Sequence, residues 1–169
     1  MATSLVSFLP TDSNPTETLN ATLSVALGAS TPKEAIYGID FDDTTVEYAD
    51  FVSAMPSSYM GGGVTITIIW TAAQNTNKGI WSGAFRRIIS NGTNLLTDAF
   101  TYDYNTTGDI DPATTVGKVK YSTMTFTNGA DMDSVVAGDM FIFRIKRPAP
   151  SGTKITGDIT IREIVISET

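Results

Sequence analysis

Apolar and polar residues alternate along most of this chain, in short runs broken by Gly, Asp and Asn. Val64, Ile66, Ile68 and Trp70 share one side of an extended segment, and Thr65, Thr67 and Ile69 share the other. A period of two marks a half-buried strand. The same reading predicts strands over 35–41, 46–55, 80–89, 99–104, 118–126, 139–147 and 154–167. In the last of these the apolar phase runs Ile159, Ile161 and then Ile164, Ile166. The slip at Arg162–Glu163 predicts a β-bulge. No stretch of 11 or more residues carries a capped helical period. About eight strands and their turns, with no helix to cover them, predict two packed antiparallel sheets. The expected fold is all-β, a jelly-roll type β-sandwich.

Residues 1–34 are rich in Ser, Thr, Asn and Pro, with short apolar stretches at Leu5–Leu9 and Leu23–Leu27. They read as an extended N-terminal arm that docks on a neighbour, leaving 35–169 as the sandwich domain.

Composition narrows the chemistry. The 169 residues include no His and no Cys. Ser-His-Asp and Cys-His catalysis and the usual zinc sites are therefore impossible. The expectation is a protein that holds rather than transforms, not an enzyme. Eleven Lys and Arg against 18 Asp and Glu give a net charge of −7. Phosphate binding needs clustered cations, so no nucleic-acid partner is expected. The largest basic group is Arg144, Lys146 and Arg147, and alternation puts Arg144 and Lys146 on one solvated strand face. No run reaches the roughly 18 apolar residues of a membrane-spanning helix. No membrane partner is expected, and synthesis in a cytoplasm is.

Four residues trace a calcium-loop pattern: Asp103, Asn105, Thr107 and Asp111, with Gly108 and Ile110 between them. Oxygen donors at alternate positions and a glycine at the sharp turn are what such a loop needs. Thr114 stands where a bidentate Glu belongs, which favours a plain polar turn. Calcium is the one cofactor this sequence suggests, and otherwise none is expected. Asp40, Asp42, Asp43 and Glu47 form a second acidic group, read as turn carboxylates. As facing carboxylates they would suit glycoside hydrolysis, the weakest of the functional readings. Trp70 and Trp81 read as core. Tyr59, in the SSYMGGG loop, reads as an exposed aromatic suited to ligand contact.

The stretches IDFDDTTVEYADFVSAMPSSYMGGGVTITIIW, GIWSGAFRRI, VAGDMFIFRIKRPAP and ITGDITIREIVI resemble small virion-associated β-sandwich proteins of tailed phages. The resemblance spans roughly residues 36–167. It implies a structural virion role in capsid decoration, fibre or tail. It implies homo-oligomers, typically trimers, bound to other virion proteins such as the capsid shell. It carries over no catalytic residue. The alternative is a carbohydrate-binding module, free-standing or on a receptor-binding tail part.

Overall fold

The computed structural model describes residues 3–149 and 153–169. Eleven strands form two antiparallel sheets: β1 (Ser4–Phe8), β2 (Ser13–Asn14), β3 (Thr22–Leu27), β4 (Ala35–Phe41), β5 (Tyr48–Ala54), β6 (Val64–Ala72), β7 (Ser82–Ile88), β8 (Asn105–Thr106), β9 (Lys120–Phe126), β10 (Met140–Lys146) and β11 (Ile159–Glu168). The six-stranded sheet runs β3-β4-β11-β6-β9, with β1 also on β11; the five-stranded sheet runs β2-β5-β10-β7-β8. From β4 onward most connections cross between the sheets, giving the expected jelly-roll sandwich.

The alternation seen in the sequence is the burial pattern. Val64, Ile66, Ile68 and Trp70 of β6 face Phe141, Phe143 and Ile145 of β10, and all are wholly buried. Phe85 sits among Phe126, Phe141 and Phe143, with ring centroids 5.0 to 5.5 Å apart. Gly83 leaves room for this cluster, since a Cβ there would lie 2.8 Å from Phe143. The pairing of β11 with β6 shifts between Ile161 and Glu163. That bulge returns Ile164 and Ile166 to the core, as the phase slip predicts.

Two expectations need correction. The arm is not an arm: from Ser4 onward residues 1–34 supply β1, β2 and β3, which pair with β11, β5 and β4. Residues 1 and 2 lie outside the described residues. These strands carry little core, so backbone pairing rather than periodicity makes them extended. The strand expected over 99–104 is an unpaired segment, and ladder pairing begins only at Asn105.

Candidate functional site

Strand alternation gives the five-stranded sheet an outer face, and its centre is charged and aromatic. Tyr48 and Asp50 come from β5, Arg144 and Lys146 from β10, and Arg86 from β7. Register places Arg144 opposite Asp50 and Lys146 opposite Tyr48. Arg144 donates from Nε to Asp50 Oδ1 at 2.6 Å and from Nη2 to Oδ2 at 2.7 Å. This two-bond fork fixes the guanidinium plane.

The segment before β8 lies across this face. Phe100, Tyr102 and Tyr104 recur at every second position and meet the cations in turn. Arg86 lies 4.9 Å from the Phe100 ring centroid, Arg144 4.2 Å from that of Tyr102, and Lys146 3.6 Å from that of Tyr104. Tyr48 adds a further ring, 5.5 Å from Arg144 and 5.9 Å from Lys146. Each cation sits within the reach of a ring quadrupole. Tyr102 and Tyr104 lean together with centroids 6.0 Å apart. All of these side chains are half-buried, so each keeps an edge open to solvent.

Burial sets the titration of the cluster. It pushes the Tyr104 hydroxyl up to about 12, against a smaller pull downward from Arg144. Tyr102 moves the same way for the same reason. Its hydrogen bond to Asp50 holds the Arg144 guanidinium charged. Burial, then the neighbouring Arg144 charge, lowers Lys146. Folding therefore favours the neutral Tyr104 hydroxyl. Its contribution to stability is complete below the ordinary tyrosine range and is lost as pH climbs through about 12. Tyrosinate absorbance should show a late-titrating hydroxyl that Tyr104→Phe removes. A wild-type curve with no such late step would contradict this.

The residues singled out from the sequence lie elsewhere. Tyr59 is corrected: only 4% of it is exposed. Its hydroxyl donates to Gly62 O and lies 3.6 Å from Met132 Sδ, so the ring is a core plug. The calcium-loop residues take separate partners. Asn105 Nδ2 donates to Thr125 O and Asp131 Oδ2, and Asp111 pairs with Lys78 at 2.6 Å. Thr107 Oγ1 accepts from Trp81 N, and Asp103 is exposed. Among the described residues no three His, Cys, Asp or Glu side chains group as metal ligands.

The second acidic group serves a turn. Asp42 Oδ1 accepts from the Thr44 hydroxyl and then from the amides of Thr44 and Thr45, which lowers its pKa, and Glu47 Oε2 accepts from Asp42 N. Trp70 and Trp81 are core, as expected. The solvated face expected for Arg144 and Lys146 is instead roofed by tyrosines.

No protein-family model matches the chain, and no curated protein matches it. Solved structures do. A Clostridium thermocellum endo-1,4-beta-D-xylanase 10B structure, with CBM22-1 and GH10 modules and xylohexaose, matches with TM-score 0.51 at 8% identity. The match covers 100% of this chain and 29% of that one. The C-terminal CBM6 of LamC from Zobellia galactanivorans matches with TM-score 0.48 at 14% identity, over 96% of this chain and 98% of that one. The CBM22-1 xylan-binding domain of Paenibacillus barcinonensis Xyn10C gives 0.44 at 9%, over 99% and 95%. At these identities the likeness is one of fold: a β-sandwich of the kind seen in carbohydrate-binding modules.

Proposed function

We propose that this protein binds carbohydrate, without turning it over, on the outer face of the five-stranded sheet. One observation carries the reading: Tyr48, Tyr102 and Tyr104 converge with Asp50, Arg144 and Lys146 on a single sheet face. Tyrosine offers an apolar ring and a polar tip, which suits the two-sided surface of a sugar. Asp50 accepts and Arg144 donates in fixed directions, which suits hydroxyl groups. A few oriented polar groups among aromatic rings are the ordinary make-up of a small-ligand site. The xylanase module of similar fold supports this choice, and the absence of His and Cys supports binding over catalysis.

The test is affinity electrophoresis of the whole protein through gels holding neutral or acidic polysaccharides, followed by calorimetry on any that retard it. At least one should bind. Tyr104→Ala and Tyr102→Ala should each weaken binding by about tenfold or more, the size of a lost stacking contact. Tyr37→Ala, on an exposed tyrosine of β4, should leave it unchanged. Retention by none of the polysaccharides, or retention indifferent to Tyr102 and Tyr104, overturns the proposal.

A structural subunit of a phage particle is the second reading. What supports it is room for subunit assembly in general: no described strand covers the sheet edge at β3.

A further inference from the structure

β3 ends the six-stranded sheet, with β4 on one side and no described strand on the other. Such an edge invites another strand, and folded proteins usually shield it with charge, proline or brevity. The edges at β2 and β8 are two residues long, β9 carries Lys120, and β1, also without charge or proline, is five residues. β3 is six residues, Thr-Leu-Ser-Val-Ala-Leu, with neither charge nor proline.

Its hydrogen-bond phase can be read from the hairpin. Gly28 N donates to Glu34 O at 2.8 Å, and the register runs Leu27–Ala35, Ala26–Ile36, Val25–Tyr37. Bonded and non-bonded pairs alternate along an antiparallel ladder. The inward-bonding residues are therefore Thr22, Ser24 and Ala26. The amides and carbonyls of Leu23, Val25 and Leu27 point away from β4, along the bare edge.

The side chains of those three residues share a face with Tyr37 and Ile39, their cross-strand partners. Ile39 is buried in the core, but Leu23, Val25, Leu27 and Tyr37 are 50%, 49%, 60% and 52% exposed. The hairpin thus carries the core-side face beyond the sandwich and leaves it uncovered.

We infer that β3 pairs antiparallel with β3 of a second copy of this chain, about a two-fold axis through Val25. Leu23-Ser24-Val25-Ala26-Leu27 alternates large and small in the same order read from either end. Antiparallel self-pairing then sets Leu23 against Leu27 of the second copy, Val25 against Val25, and Ser24 against Ala26. The outward amides and carbonyls of Leu23, Val25 and Leu27 are satisfied together in that register. The strand's neutrality suits a copy in particular, because a charged residue here would meet itself across the axis in a chain already at −7. The apolar overhang adds to the strand contact toward the about 800 Å² per partner of a stable interface. This pairing is independent of carbohydrate binding, and its two-fold symmetry makes a dimer rather than the trimer implied by the virion resemblance.

Light scattering on the full chain across a concentration series should give twice the 18.1 kDa of one chain. Val25→Pro removes an outward donor while leaving the β4 hydrogen bonds in place. It should weaken dimerisation by about 100-fold or more with the thermal melt preserved. Val25→Cys provides the register test in a chain with no cysteine of its own. Its Cα would face its mate at about 5.5 Å, within disulfide reach, so mild oxidation should yield a covalent dimer. Ser24→Cys, on the opposite face and displaced from its mate, should not. A monomer at every concentration, a trimer, a dimer that survives Val25→Pro, or equal cross-linking at both positions overturns the inference.

Discussion

Arg147→Met is expected to destabilise the fold by about 3–5 kcal/mol, because it removes a buried guanidinium that donates to three carbonyls at once. Arg147 follows Phe141, Phe143 and Ile145 at the inward-facing parity, so an arginine stands where the strand would place another core side chain. It is 5% exposed. Nη1 donates to Phe41 O at 2.9 Å and Gly157 O at 2.8 Å, and Nη2 donates to Ile155 O at 2.6 Å. The guanidinium thereby ties the ends of β4 and β10 to the segment leading into β11. Methionine keeps the length and apolar stem but takes the guanidinium donor away from those carbonyls. The melting temperature should fall by about 10 °C or more for a domain of this size. Arg147→Lys should recover only part, since one ammonium cannot match the planar fork.

The same variant should show a particular pH dependence. Asp42, Asp43, Glu47 and Asp158 all feel the Arg147 charge. Burial, with the neighbouring carboxylates adding to it, already raises Asp158; burial likewise raises Glu47. A carboxyl raised on folding supports the native state while protonated and loses that support as pH rises through its folded pKa. Without Arg147 both groups rise further. The deficit of the variant should be smallest in acid and grow through the carboxylate range. Denaturant titrations at several pH values check this. A loss below about 1 kcal/mol, or one that shrinks as pH rises, contradicts the assigned role.

The sandwich was legible because its core strands are amphipathic on their own. β6, β10 and β11 declare their buried faces locally, down to the bulge at Arg162–Glu163. The N-terminal strands were not legible for the complementary reason. β3 has no fully buried residue and β1 has only Phe8, so their extended form depends on partners far along the chain. The site follows the same division. Alternation puts Arg144 and Lys146 on one face, but what covers them arrives from 42 residues earlier. The signal was present as Tyr102-x-Tyr104 against Arg144-x-Lys146, two pairs at matching spacing. Only sheet topology brings the pairs together. Tyr59 misled because its glycine-rich surroundings look like an exposed loop, whereas its hydroxyl has a local carbonyl partner that permits burial.

Asp50 and Arg144 should behave as one unit, and a double-mutant cycle exposes it. Their side chains are 14% and 23% exposed, dry enough for the fork to matter more than a surface ion pair. Asp50→Ala leaves a guanidinium held among Tyr48 and Tyr102 with no counter-charge. Arg144→Ala leaves a mostly buried carboxylate and strips Tyr102 of its cation. Each single change is expected to cost about 2–3 kcal/mol. Removing both leaves no orphaned charge, so the double variant should lose little more than either single one, with a coupling of about 1–3 kcal/mol. Carbohydrate binding should divide differently. Every variant of the cycle lacks the directed acceptor, the directed donor or both, so affinity should fall by about 100-fold or more in all of them, including the double variant, whose stability is close to that of either single one. Additive stability losses would mean that the fork is incidental. Binding that recovers in the double variant would mean that the pair only shapes the face, and that the sugar rests on the tyrosines alone.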